Sequence, residues 1–116
     1  MHELSIALGI LDAMSDEADR HGGASMIKAV HVRLGPLSGV VEKSLSAAYE
    51  LARDGTEFAG CELVVEETPI ILHCATCETD CPAESIQEIS CSLCGSQDVS
   101  VVGGRELEVT ALEIEA

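Results

Sequence analysis

Cys74-Ala75-Thr76-Cys77 and Cys91-Ser92-Leu93-Cys94 are two Cys-x-x-Cys knuckles separated by 13 residues. Two intervening residues let both thiolates of a knuckle reach one ion, and two such hairpins facing each other complete a tetrahedron. Gly95 directly follows the second knuckle, where a tight turn favours a residue without a side chain. The spacing therefore predicts a four-cysteine Zn(II) site. Four thiolates leave no position for water or substrate, so the expected role is structural, not catalytic. A dithiol redox centre needs one such motif at a strand-to-helix turn, and neither knuckle has that setting.

Two cysteines remain. Cys81 stands four residues past Cys77 without a partner at knuckle spacing. It reads as a spare thiol near the site, with substitution as a ligand the alternative. Cys61 opens a strand and reads as a small buried hydrophobe. His73 abuts Cys74 and reads as a surface histidine, the alternative being a partner behind the ligands or an alternate ligand. His21 and His31, at a helix end and on a polar strand face, read as ordinary exposed histidines.

A second candidate lies at Met1-His2-Glu3. An initiator Met followed by a bulky residue such as His is usually retained, so the free amine is expected on Met1. That amine, the His2 amide nitrogen and the His2 imidazole close adjoining chelate rings around one ion. Glu3 adds a carboxylate or amide donor. Nitrogen-rich donors of this kind favour square-planar Ni(II) or Cu(II) over tetrahedral Zn(II). Taken alone, the same three residues read first as a frayed terminus, since many chains start with Met-His, and metal binding is the alternative.

The elements that must position these groups follow from apolar spacing. Over residues 3–21, Leu4, Ala7, Leu8, Leu11, Met14 and Ala18 form one helical face, ended by Gly22-Gly23. Val30, Val32 and Leu34 alternate with His31 and Arg33 as in a half-buried strand, stopped by Gly35-Pro36. A second helix places Val41, Leu45, Ala48 and Ala52 on its buried side and closes at Arg53-Asp54-Gly55. Residues 61–71 read as a strand with Pro69 at its edge or end. From His73 to about Gly104 no hydrophobic period lasts long enough for a core, so this stretch is expected to need a metal to fold. Leu107, Val109 and Ala111, then Leu112 and Ile114, return to strand character with an irregularity near Ala111.

This order predicts an α+β fold: two helices on one face of a small mixed three-stranded sheet, with an inserted zinc-ribbon module. The expected domains are residues 1–72 plus 105–116, and an inserted module over 73–104.

Composition narrows the function. The chain has 116 residues, 47% apolar but only 2% aromatic, so aliphatic side chains must fill a thin core that a metal would help to hold. Net charge is −15, from 6 basic against 21 acidic residues. Such a surface repels phosphate backbones, and a single Tyr and Phe offer no stacking platform. That argues against a zinc ribbon recruiting nucleic acid or RNA polymerase. A thiol oxidoreductase using Cys81 with one knuckle is the other rival. No apolar run reaches the roughly 18 residues of a membrane span. No basic-then-apolar leader opens the chain, so the expected compartment is the cytoplasm, where six cysteines point to metal chemistry.

Across its length the chain resembles the HypA/HybF family, the nickel chaperones of NiFe-hydrogenase maturation. The matching pieces are Met1-His2-Glu3-Leu4, Gly35-Pro36-Leu37-Ser38-Gly39-Val40, both knuckles with Gly95-Ser96, and Gly104-Arg105-Glu106-Leu107 before an acidic last strand. Pro36 departs from a position that is often acidic in the family, and Cys81 lies outside the family's basic ligand set.

The resemblance implies a binding protein, not an enzyme. It implies a nickel domain using His2 with Met1 and Glu3, and a zinc domain using Cys74, Cys77, Cys91 and Cys94. Ni(II) is then cargo and Zn(II) structural. The implied partners are a hydrogenase maturation GTPase and the hydrogenase large-subunit precursor. Urease maturation proteins are added in some bacteria, and a homodimer is left open.

Overall fold

The apolar spacing at the start of the chain folds as α1 (His2–Arg20). The computed structural model describes residues 2–115, apart from the side chain of His2. α1 buries Ala7, Ile10, Leu11, Met14 and Ala18, whereas Leu4 and Leu8 of the expected stripe are exposed. At about 100° per residue, the buried stripe leans toward Ile10 and leaves Leu8 on the opposite flank. Gly23 donates its N–H to the Ala18 carbonyl at 2.8 Å, and Gly22 and Gly23 take φ of +96° and +110°. The helix thus ends in the left-handed turn that glycine permits.

β1 (Ile27–Leu34) is the centre of a three-stranded sheet, between β2 (Glu62–Glu67) and β6 (Leu107–Ile114). Cys61, just before β2, bonds to the carbonyl of Ile27 at the start of β1, as two parallel strands require. Lys28–Glu115, His31–Glu113 and Arg33–Glu108 pairs run in opposite order along β1 and β6, so that pair is antiparallel. The sheet is therefore mixed, as expected.

α2 (Glu42–Arg53) connects β1 to β2 and packs with α1 on one face of this sheet. It buries Leu45 and Tyr49, with Ala48 and Ala52 half-buried. Val41 is 60% exposed because it is the N-cap residue, ahead of the first helical turn. Tyr49 was not among the expected core residues, yet it and Phe58, the two aromatics of the chain, are both buried there. Its hydroxyl donates to the Cys61 carbonyl at 3.1 Å, which satisfies the polar end of an otherwise apolar side chain.

A second sheet holds β3 (Ile71–Cys74), β4 (Thr79–Pro82) and β5 (Val99–Gly103), in the order β4–β3–β5 with both pairings antiparallel. The single strand expected over 61–71 is thus two: β2 stops at Glu67, and Ile71 already belongs to β3. Nor is the cysteine stretch without a core. Ile70, Leu72, Cys74, Cys81 and Cys91 are buried together, with Leu37, Ala83, Val99 and Val101 packed alongside. These residues come from strands of four or five residues, from the turns beside them and from a distant segment, so no local period announces them, and three are cysteines.

By compactness the chain divides into two units. One takes everything up to Arg33, Val40–Glu66 and the chain from Glu108; the other takes Leu34–Gly39 and Glu67–Leu107. The second is wider than residues 73–104 because backbone hydrogen bonds tie two glycine-rich segments into it. Gly35 N–H donates to the Glu106 carbonyl at 2.8 Å, and Leu37 N–H to the Gly104 carbonyl at 2.7 Å. The Glu106 carboxylate in turn accepts from Gly104 N–H and the Thr68 hydroxyl, both at 2.8 Å. Among the described residues no helix is long and apolar enough to cross a membrane.

Candidate metal centre

β3 delivers Cys74 to the rim of its sheet, and the first knuckle turns the chain into β4. The second knuckle lies between β4 and β5. At the first position after each knuckle the backbone enters the left-handed region: Glu78 at φ +54° and Gly95 at φ +78°. Glycine fits that turn without cost, and the sequence signals only the second of the two. Gly95 N–H closes its turn on the Cys91 carbonyl at 2.8 Å. Thr76 and Ser96 hydroxyls, 2.9 Å apart, link one knuckle to the other.

The sulfurs of Cys74, Cys77, Cys91 and Cys94 all lie within 4.8 Å of one another. Two pairs that join the knuckles are closer: Cys74–Cys94 at 3.6 Å and Cys77–Cys91 at 3.7 Å. Metal–sulfur bonds of about 2.3 Å place the corners of a tetrahedron about 3.8 Å apart. The four sulfurs therefore fit a tetrahedral thiolate-preferring ion, and Zn(II) is such an ion. Among the described residues no other three His, Cys, Asp or Glu side chains gather in this way. Cys74 and Cys91 are buried, while Cys77 and Cys94 are exposed.

Backbone amides favour the first sulfur of each knuckle. Cys77 N–H reaches Cys74 Sγ at 3.5 Å, and Leu93 N–H reaches Cys91 Sγ at 3.4 Å. The Cys94 amide first, then the Leu93 amide, pull Cys91 down to about 6 against the opposing effect of burial. The Cys77 amide likewise holds Cys74 below the ordinary thiol range. Thr79 and the Ser96 amide favour the thiolates of Cys77 and Cys94, but neighbouring sulfurs and burial outweigh them. Cys77 is raised, and Cys94 is pushed up to about 12.

Near pH 7 the metal-free site therefore keeps protons on Cys77 and Cys94, and a bound dication must expel both. Metal binding should release at least two protons, so affinity should fall about 100-fold or more per unit as pH drops from 7. Calorimetry in buffers of different ionisation enthalpy checks this. Release of one proton or none would show that the thiolates are already formed.

The remaining polar groups stay outside the cluster. Cys61 is buried and donates its thiol to the Ile27 carbonyl at 2.8 Å, with its pKa raised by burial against the lowering influence of Arg53. His73 pairs with Asp80 at 2.7 Å across β3 and β4. His21 lies near Glu17 and His31 near Glu113. Glu3 is half-buried in the first turn of α1, while Met1 and the His2 side chain lie outside the described residues. The amide donors of Cys77, Leu93 and Cys94 and the Thr79 hydroxyl were not foreseen. Only the knuckle spacing hints at the amides.

Comparison with known proteins gives one consistent answer. Residues 1–114 match the family model described as hydrogenase/urease nickel incorporation, metallochaperone, hypA. The hydrogenase maturation factor HypA of Chloroflexus aurantiacus is 41% identical, covering 97% of this chain and 98% of that protein. That of Thermomicrobium roseum is 36% identical, covering 98% of each. Two solved structures share the fold. One, the nickel metallochaperone HypA from Helicobacter pylori, has a TM-score of 0.66 at 22% identity, covering 98% of this chain and 97% of that one. Another solution structure of a HypA protein has a TM-score of 0.72 at 23% identity, covering 98% and 96%. With a family model matched almost end to end and relatives aligned over nearly their full length, the chain belongs to the HypA family of metallochaperones.

Proposed function

We propose that this chain carries Ni(II) at its N-terminus and holds a structural Zn(II) on Cys74, Cys77, Cys91 and Cys94. It hands the nickel to the hydrogenase large-subunit precursor in the cytoplasm, together with the maturation GTPase of the same pathway. It is a maturation factor, not an enzyme. The observation that carries the reading is the family match from residue 1, which joins the Met1-His2-Glu3 start to the four-sulfur cluster in one chain.

The chemistry of each end supports its own part. α1 begins at His2, so the His2 amide, a donor the proposed nickel site would use, has no acceptor within the helix. A site made from an amine, an amide and one imidazole at a chain end has no closed cage, and it loads and releases an ion readily. Four thiolates enclose theirs. The nickel domain is assigned to residues 1–72 plus 105–116 and the zinc module to 73–104. The family description also names urease, so urease maturation proteins are possible second clients of this chain's nickel.

Metal analysis of untagged protein tests this. As purified it should contain one zinc per chain, and Ni(II) should add without displacing it. Removing the zinc with a chelator should loosen the knuckles while α1 and α2 keep their helical signal. Nickel that binds only by expelling zinc would place both ions on the thiolates and sink the two-site reading.

A further inference from the structure

β6 is the outermost strand of its sheet, with β1 on one side and no strand on the other among the described residues. It runs for eight residues, and all of them but Leu112 are exposed. Alternate N–H and C=O groups of an edge strand point away from the sheet, open to water or to another strand. Glu108 and Glu113 do not screen that edge, because their carboxylates pair with Arg33 and His31 on the β1 side.

α1 flanks the same strand. Between them lies a groove of about 510 Å³, with Ala13 and Asp16 of the helix facing Val109, Ala111, Leu112 and Ile114 of the strand. A backbone edge with a helix beside it is the arrangement that accepts an extended peptide as an added strand. Main-chain hydrogen bonds hold the peptide, and every second side chain enters the groove. Val109 and Ile114, 38% and 40% exposed, supply apolar surface for those side chains to cover.

We propose that the groove between α1 and β6 is a docking site for an extended segment of a partner protein, in which apolar residues alternate with lysine or arginine. The surface is separate from both metal sites. Charge selects its occupant. Arg20 and His21 also reach the groove, but Glu17 engages both, at 2.7 and 3.5 Å. Asp16 lines the groove with no ion pair among the described residues, and Asp12 and Asp19 stand exposed and equally unpaired on α1. A second copy of this chain, at a net charge of −15, is repelled from such a surface, and so is an acidic segment. A basic segment is drawn in, and its cation meets Asp16 at the groove wall.

The probe is a short capped peptide of alternating valine and lysine, titrated into the isotope-labelled, untagged full-length chain at low salt. Amide resonances of Val109, Ala111, Leu112, Ile114, Ala13 and Asp16 should shift together, and the β6 amides should exchange with solvent several-fold more slowly. Asp16→Lys should weaken binding about tenfold or more, because the cation then meets a like charge. Ala13→Arg should abolish it by filling the groove, and arginine keeps the helix almost as well as alanine. The same peptide with glutamate for lysine tests the charge on the unaltered chain, where binding should again be about tenfold weaker or worse. Equal binding of the two peptides would overturn the choice of a basic partner. Shifts confined to other surfaces, or none, would overturn the docking site itself. Self-association of the chain through β6 without peptide would give the edge to a second copy and overturn the proposal as well.

Discussion

Replacing His2 by Ala should weaken nickel binding drastically while one zinc per chain and the fold persist. The substitution removes the imidazole and breaks one of the adjoining chelate rings. Alanine is also the best helix former, so α1, which starts at His2, loses nothing. Affinity for Ni(II) should fall by on the order of 100-fold or more, equivalent to about 2.7 kcal/mol. An N-terminal tag should do nearly the same with His2 intact, because it turns the Met1 amine into an ordinary amide. A tag without metal ligands placed after β6 should be harmless. In cells, the His2→Ala protein should accumulate normally yet fail to restore hydrogenase activity to a strain lacking this chaperone. Excess nickel in the medium should partly restore it, since a carrier is dispensable when its cargo is abundant. Tight nickel binding by His2→Ala would move the site elsewhere.

The metal corner was legible because its chemistry is local. Two residues between thiolates is a geometric requirement, and the structure brings together the four sulfurs that the spacing selected. The amide donors that lower Cys74 and Cys91 follow from the same turns. They are main-chain groups, though, and a sequence does not display them. Helix and strand order was also readable, since α1, α2 and β1 each carry a sustained apolar period. The last strand returns to pair with β1, as the simplest topology required.

What stayed hidden is tertiary. Leu4 and Leu8 belong to the helical period by type, but the stripe that packs is chosen by the sheet beneath it, and Ile10 wins the place. The core of the second unit draws Leu72 from β3, Cys81 from β4 and Val99 and Val101 from β5, with too few residues in each for a period to emerge. The apolar pattern breaks near residue 73. The contact that widens the second unit instead joins Gly35 to Glu106 across 70 intervening residues.

That contact gives Gly35→Ala the closest clash of any glycine-to-alanine change among the described residues. A Cβ on Gly35 would lie 2.1 Å from the Gly104 carbonyl oxygen and 2.3 Å from its carbon. Both are backbone atoms with no rotamer to turn away. Gly104 sits at φ +113° with the Ile70 backbone beside it, where an added Cβ would lie 3.0 Å from Ile70 Cα. Relief would require parting the two segments and giving up the Gly35–Glu106 and Leu37–Gly104 hydrogen bonds. The expected cost is about 3 kcal/mol or more, at the upper end for overpacking. Gly9→Ala is the control. It adds the same methyl in the interior of α1, with nothing within 4 Å, and should stabilise by about 1 kcal/mol through helix propensity. Urea unfolding followed at the amides of Leu37 and Gly104 reads the second unit directly, and far-ultraviolet dichroism reads the helices. The two glycines should move stability in opposite directions; a Gly35→Ala protein within about 0.5 kcal/mol of the parent would show that the segments are free to part, and that their contact does not hold the second unit together.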